Sequence, residues 1–340
     1  MKNSSIALWG LLFLNAFYLP DVSLKNNLKN QPYDLNKAVA NEKIRACIKD
    51  RSGSGVKTVP LASLYQANSA ELRFVFFIKS FNNAAWYKKN LMSVFTQKYA
   101  NYHILYVDDA SVDGTADLVE KFAKEVGHQD KITIVRNDVN KGGCYNDYTY
   151  INTLPSTDIC MVLDGDDWLP HEHILSMYNN IYQDKNVWLT YGNFKRYPAG
   201  KPSMCPDLMP FIKQQKNIRK MGYTPAPLRT FYVWLFKLVD VDAFRMNGVF
   251  HIVANDHAMM HPMLELAGLH SKYVPSISYI YNCTNAISVS KSEVKRTLNA
   301  VSTAHLRSQK LYDRISITSL THKKRIGEYD DKKYTTNIGC

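Results

Sequence analysis

Apolar residues in this chain gather into short dense runs, and the polar stretches between them carry apolar positions three and four residues apart. Leu72 to Ile78 (LRFVFFI) is such a run, with the pattern of a strand covered on both faces. Residues 84–96 follow, with Trp86, Leu91, Val94 and Phe95 at helical spacing. The alternation then repeats. Strands are expected at 103–107, 131–135, 159–163 and 188–191. Helices are expected at 115–125, at 145–153 and, after Pro170, through Ile174, Leu175, Tyr178 and Ile181. Strands alternating with helices predict an α/β fold, a Rossmann-like and mostly parallel sheet flanked by helices.

The pattern thins toward both ends. Residues 21–70 are polar, with one weak helical pattern through Leu35, Val39, Ile44 and Ile48, and then Ser52-Gly53-Ser54-Gly55, which reads as a linker. Residues 195–230 hold more Pro and less periodicity and are expected to be loops. An apolar, helical pattern resumes at 231–238, and 257–267 reads as a helix with Gly268 at its C-cap. Residues 273–281 read as a strand and 291–314 as a last helix. The chain thus divides into a leader (1–20), a variable segment and linker (21–70), a sheet-forming core (71–200), a C-terminal extension (201–290) and a basic helix and tail (291–340).

Composition changes this little, since 46% hydrophobic and 21% charged residues are ordinary for a globular protein. Charge changes it more. A formal net charge of +12 admits nucleic acid, an anionic membrane surface or phosphorylated small molecules as partners. Much of the excess lies at Lys291, Lys295, Arg296, Arg307, Lys310 and Arg314 and in the run His322-Lys323-Lys324-Arg325, where a solvated helix face and tail is the plain reading. With no zinc-finger spacing and no RNA-recognition aromatics, nucleic acid is not an expected partner. The six cysteines include no CxxC pair, so no structural zinc site is indicated, and Cys160 reads as a small buried hydrophobe. At the N-terminus, Lys2 before the apolar run Ile6 to Leu14 has the shape of a signal peptide or a peripheral anchor. Even extended to Leu19, the run falls short of the roughly 20 residues that a membrane span needs.

Ligands of parallel sheets bind beyond the C-terminal strand ends. That rule singles out Ser80-Phe81-Asn82, Asp108-Asp109, Arg136-Asn137 and Asp164-Gly165-Asp166-Asp167. The last of these is the sharpest. Alternation along the strand points Asp164 and Asp166 the same way. Two carboxylates emerging together suit a hard divalent cation, Mg²⁺ or Mn²⁺, completed by substrate phosphates. A surface turn is the competing reading, but close carboxylates repel one another without a cation. In the segment 108–115, Asp113 and Thr115 read as caps of the next helix, while Asp109 is placed to accept hydrogen bonds from a base edge or ribose hydroxyls. A phosphatase aspartate loop would need Asp where Ser111 stands. Neither GxGxxG nor GxxxxGK[ST] is present, and His257 and His261 lack the Glu of HExxH.

Three segments, SFNNAAWYKKNLMSVFTQKY (80–99), HILYVDDASVDGT (103–115) and ICMVLDGDDW (159–168), together resemble family 2 glycosyltransferases of the GT-A fold. The resemblance covers residues 72–200 and extends more loosely to 282. It implies an inverting enzyme that moves a sugar from a nucleotide-diphosphate donor to an acceptor hydroxyl with Mn²⁺ or Mg²⁺. On this resemblance Ser80, Asn82, Asp108 and Asp109 line the donor pocket, and Asp164 and Asp166 meet the ribose and the metal-bound diphosphate. Asp256, within ANDHAMMHPMLELAG (254–268), is the implied general base, although Asp before an apolar helix is also an ordinary N-cap. The sequence departs from the family twice. Asn255 replaces the usual Glu before that Asp, and the Arg-Asn pair common after the glycines is missing from 140–146. Lys141 or Arg136 is the candidate replacement charge. Arg229, in PLRTF (227–231), is a candidate acceptor or phosphate contact, against the plain alternative of a solvent-facing Arg. Trp168 is a candidate floor able to support a sugar ring.

The resemblance makes 71–200 the nucleotide-sugar core and 201–290 the acceptor side, for a glycan, lipid-linked or protein acceptor, with peripheral membrane contact through the chain's basic and apolar ends. Nucleotide sugars place such an enzyme in the cytosol or at a membrane, or in the secretory lumen if residues 1–20 act as a signal. Two rivals remain: an inactive GT-A module that binds nucleotide or glycan, and a metal-dependent nucleotidyltransferase. The latter's usual glycine-rich basic loop after the first strand is absent here.

Overall fold

The apolar run at 72–78 becomes the middle of a seven-stranded sheet. The computed structural model describes residues 47–48, 57–58, 71–203, 205–221, 225–287 and 292–315, all within the unit Arg45–Cys340. In chain order the strands are β1 (Phe74–Ser80), β2 (Tyr102–Asp108), β3 (Ile132–Arg136), β4 (Ile159–Asp164), β5 (Leu189–Tyr197), β6 (Arg229–Tyr232) and β7 (Ser271–Asn282). Their spatial order is β7-β5-β6-β4-β1-β2-β3. Strand β1 pairs in parallel with β2 and β4, β2 with β3, and β5 with β7, whereas β6 is antiparallel to both β4 and β5.

Alternation along β1 explains why it is apolar at nearly every position. Phe74, Phe76 and Ile78 pack with helices α1 (Tyr87–Phe95), α2 (Thr115–Glu125) and α4 (Ile174–Tyr182) in one buried layer. Val75 and Phe77 face α3 (Gly143–Ile151) and α5 (Asn255–Ala267) in the other. Burying one such Phe contributes roughly 1.5–3 kcal/mol, so this strand anchors both layers. Helix α2 shows the matching helical logic: Ala116, Val119, Phe122 and Ala123 face the sheet, with Asp117 in its first turn and Lys124 in its last, each complementing the helix dipole. Cys160 is fully buried as expected, and Gly268 closes α5 with a left-handed φ of +52°.

The region after residue 195 corrects the sequence reading. Residues 195–230 are not all loops, because β5 runs to Tyr197, Met209–Lys213 forms a short helix, and β6 begins at Arg229. Residues 231–238 are not one helix: the strand holds Phe231 and Tyr232, and a single helical turn spans Val233–Phe236. A four-residue strand flanked on both sides is too short to display a period, and Thr230 puts a polar residue at its centre. Burial of Thr230 is tolerated because its hydroxyl lies 2.8 Å from Tyr182 Oη and 2.7 Å from Thr190 Oγ1.

The last helix, α6 (Glu293–Ser308), ends earlier than the expected residue 314, and the chain turns back as a strap over α5. Arg219 holds the strap. Its Nε and Nη2 donate to the two carboxylate oxygens of Glu265 at 2.6 and 2.7 Å, and its Nη1 donates to the Leu306 carbonyl at 2.7 Å. Glu265 in turn accepts the Tyr312 N–H at 3.0 Å.

Cys47–Ile48 pairs antiparallel with Lys57–Thr58, so the helical pattern expected through Leu35 does not extend to Ile48. The leader at 1–20, the rest of that pattern, the linker at 52–55 and the basic run at 322–325 lie outside the described residues. Among those described, no helix is long and apolar enough to cross a membrane.

Removing one charge of the Arg219–Glu265 pair strands the other. Arg219→Ala is expected to cost about 3–5 kcal/mol in denaturant unfolding, and Arg219→Met with Glu265→Leu much less. Equal losses would contradict the buried pairing.

Candidate active site

The C-terminal ends of β1, β2, β3 and β4 lie side by side, with Ser80 opposite Asp108, Asp108 opposite Arg136, and Lys79 opposite Asp164. The loops that leave them interlock. Asn82, in the left-handed region at φ +53°, donates its N–H to Ser111 Oγ at 2.8 Å and accepts the Val112 N–H at 2.9 Å. Asp108 accepts the Ser111 N–H at 3.0 Å and its hydroxyl at 2.6 Å. Ala110, at φ +61°, sits between them in a conformation that a residue with a Cβ rarely adopts. The buried Ser80 hydroxyl accepts Asn83 Nδ2 at 3.0 Å.

Asp109 ties this pair of loops to a third. One carboxylate oxygen accepts Asn137 Nδ2 at 2.7 Å and the Lys141 N–H at 2.8 Å, and the other accepts the Gly142 N–H at 2.9 Å. The structure therefore gathers Ser80, Asn82, Asp108 and Asp109 at one edge, with both acids engaged by the chain's own donors. The N-cap of α2 is Gly114, neither Asp113 nor Thr115 as expected; Asp113 accepts the Thr115 N–H at 3.1 Å from just outside the helix.

The carboxylates after β4 are handled one by one. Asp167 turns inward, where it accepts the Tyr279 hydroxyl at 2.6 Å and the Asn282 N–H at 2.7 Å, and burial pushes its carboxyl well above the ordinary range. Asp166 accepts Asn285 Nδ2 at 2.7 Å on one oxygen; burial, aided by the neighbouring Asp164 charge, raises it to about 6. Asp164 Oδ2 has a long contact, 3.4 Å, to the Tyr279 hydroxyl. Gly165 makes this packing possible, because a Cβ there would lie 2.8 Å from Ser80 Cβ and 2.9 Å from Asn83 Nδ2. Asn90, buried on α1, braces the turn by donating to the carbonyls of Asp164 and Asp167 at 2.9 and 2.7 Å.

A second centre joins β6 to α5. Arg229, opposite Val162 of β4, lies 3.2 Å from Asp256 Oδ2 and is not a solvent-facing residue, since its side chain is 12% exposed. Its Nε donates to the Pro225 carbonyl at 2.7 Å. Asp256 is not the N-cap of α5; Ala254 holds that position, and Asp256 stands in the first turn, its Oδ1 accepting the His257 N–H at 3.0 Å. Burial opposes ionisation of Asp256, and the charges of Arg229 and His257 overcome it and hold the carboxyl below its ordinary value.

The remaining candidates are placed differently. Trp168 is buried against Tyr197, with ring centroids 5.1 Å apart, and the Lys89 ammonium lies 3.4 Å from the Trp168 ring centre and 4.2 Å from that of Tyr197. The ring face that would support a sugar is thus covered by a lysine whose pKa burial lowers to about 8. Lys141 lies 3.0 Å from Asp138 at the surface. Arg136 pairs with Asp117 and Glu120 of α2, so its charge is directed toward that helix. The histidine rings of His257 and His261 are buried 4.9 Å apart.

Sequence reasoning missed Tyr279, Asn282 and Asn285, which lie more than a hundred residues from the acids they contact and look like ordinary strand and loop residues. It also missed the buried pairing of Lys79 with Asp147, although a lysine ending an apolar strand was a visible signal. A cleft of about 650 Å³ lined by Tyr148, Asp240, Asp242 and Tyr312 contains none of the predicted site residues. Among the described residues, no group of three or more His, Cys, Asp or Glu side chains is arranged to hold a metal ion by itself.

Residues 75–242 match the family described as Glycosyl transferase family 2. Over 97 residues the chain is 33% identical to the succinoglycan biosynthesis protein ExoW of Rhizobium meliloti (strain 1021), a match covering 28% of this chain and 29% of that protein. Over 103 residues it is 27% identical to the glycosyltransferase GlyA of Streptococcus pneumoniae serotype 4 (strain ATCC BAA-334 / TIGR4), covering 30% of this chain and 14% of that one. The chain thus spans less than a third of the length of these curated relatives. In fold it is similar to the mannosyltransferase PcManGT of Pyrobaculum calidifontis, solved with GDP-Man and Mn²⁺, with a TM-score of 0.51 at 16% identity over 72% of this chain and 67% of that one. The sheet, the strand-end loops and the matched segment lead to one conclusion: through residues 75–242 this chain belongs to glycosyltransferase family 2, on a GT-A fold.

Proposed function

We propose that this protein is an inverting, metal-dependent glycosyltransferase that moves a sugar from a nucleotide diphosphate to an acceptor hydroxyl. The observation that carries the reading is the crowding of Asp164 and Asp166 beyond β4, where burial and the Asp164 charge raise Asp166 to about 6. A carboxylate whose ionisation is opposed first by burial and then by a neighbouring acid suits a hard cation, and oxygen is the donor that Mg²⁺ and Mn²⁺ prefer. With Asp167 turned inward, Asp164 and the outer oxygen of Asp166 are the groups that would hold it, completed by donor phosphates. When bound, the cation would neutralise charge developing on the departing nucleotide diphosphate.

The chain's own residues supply the rest. Ser80, Asn82, Asp108 and Asp109 shape the loops that would receive the nucleotide, and fixing donor against acceptor removes much of the barrier. Asp256 would accept the proton of the acceptor hydroxyl as that oxygen attacks the anomeric carbon from the face opposite the diphosphate. Arg229 keeps this carboxyl ionised and aims it, and the His257 N–H fixes its other oxygen. Nucleotide-sugar binding by the PcManGT mannosyltransferase of the same fold is in keeping with this chemistry.

Asp256→Asn is expected to lower transfer by about 10²–10⁴-fold while nucleotide binding persists. Product formation by mass spectrometry with a parallel binding titration checks this, and unchanged turnover would remove Asp256 from the role. Arg229→Met relieves the charge that depresses Asp256. Its carboxyl then protonates at higher pH, so the acid limb of the kcat/KM profile should move upward; an unmoved limb would mean that Asp256 does not set it. The anomeric configuration of the product, read by proton NMR, should be inverted relative to the donor.

A further inference from the structure

Lys79 is the charge that the apolar strand does not call for. It stands one residue before the end of β1, on the face of Val75 and Phe77, toward α3 and α5, and its side chain is 11% exposed. Its ammonium lies 2.6 Å from Oδ1 of Asp147 on α3, whose side chain is fully buried. The other oxygen of Asp147 accepts Asn255 Nδ2 at 3.0 Å. A buried ion pair seldom raises stability, because taking two charges out of water costs about as much as their attraction returns. Its value lies in what it connects.

Two of the three residues sit where elements lead to the site, and Asp147, midway along α3, joins them. Lys79 lies opposite Asp164 in the β1–β4 register, and Asn255 opens α5 one residue before Asp256. The backbones between them are in close contact. A Cβ on Gly142 would come within 3.2 Å of Ile252 Cα, and one on Gly143 within 3.0 Å of Asn255 Cγ. Ala254, just before the helix, has a left-handed φ of +63°. The residues that enter α5 therefore rest on the first turn of α3, and the hydrogen bond from Asn255 to Asp147 sets their rotation. This also accounts for the departure at position 255: a Glu would set a second carboxylate against Asp147, whereas Asn presents a donor.

We infer that Asp147 is a positioning residue for the general base. Through Asn255 it fixes the turn that aims Asp256, and through Lys79 it joins that turn to the strand end beside Asp164. The inference rests on the glycosyltransferase reading with Asp256 as base.

Two variants test it without stranding a buried charge. Asn255→Ala removes one hydrogen bond and leaves the ion pair, and Lys79→Met with Asp147→Leu replaces the pair by apolar groups. The full chain is assayed for kcat and donor KM, for nucleoside diphosphate affinity in Mn²⁺, and for thermal midpoint. The expected result is a fall in kcat, about 10-fold and 100-fold respectively, with donor KM, nucleotide affinity and midpoint little changed, because misplacing a reacting group by an ångström costs about that much. Unchanged kcat in both folded variants, or losses of kcat that follow the thermal midpoint, would overturn the inference. A wild-type chain that binds no nucleotide and transfers no sugar would instead overturn the reading beneath it.

Discussion

Burial of neighbouring carboxylates at one strand end, with their mutual repulsion added to it, governs this structure. Asp164, Asp166 and Asp167 emerge within four residues from a strand whose preceding positions are buried, where charges attract and repel more strongly than in water. Each is answered separately. Tyr279 and the Asn282 amide donate to both oxygens of the innermost acid, Asn285 satisfies half of the next, and Asp164 is only partly buried. These partners reach the acids because β7 runs alongside β5 and extends to Asn282. Gly165 lets the turn press against Ser80, and Asn90 braces it from α1. Much of the surrounding fold thus serves to hold like charges in place.

The second centre follows the opposite logic. Burial should raise Asp256 as it raises Asp166, yet the guanidinium of Arg229 reverses the direction. Two acids of one chain are pushed apart in proton affinity, the arrangement by which a single fold separates chemical roles among carboxylates. Strand β6 makes this possible. Inserted antiparallel between β4 and β5, it carries Arg229 into the sheet beside the strand that ends at Asp164.

What the sequence disclosed depended on how local the cause was. Strands β1, β2 and β4 announced themselves because a strand covered on both faces is apolar at nearly every position, and the Asp164–Asp167 cluster followed directly from one of them. Strand β6 gave no such signal, since its buried Thr230 is explained by hydroxyls on Tyr182 and Thr190, both distant in sequence. Asp108 and Asp109 were legible as strand-end acids, but their engagement by Ser111, Lys141 and Gly142 depends on loop conformations that residue identity does not specify. Asp256 was found through resemblance; its ion pair with Arg229 required the sheet to be assembled. Trp168 was legible as a buried aromatic, whereas Lys89 over its face was not.

Binding of a nucleoside diphosphate through a divalent cation is the role proposed for the acids beyond β4. Its most direct test is calorimetric titration of the wild-type chain with UDP, GDP, dTDP and CDP, each with Mn²⁺ and with EDTA. One of these diphosphates should bind in Mn²⁺, EDTA should abolish the binding, and saturation at about 100 times Kd should stabilise the fold by about 2.7 kcal/mol. Folded protein that binds none of them, or that binds equally well in EDTA, would contradict it.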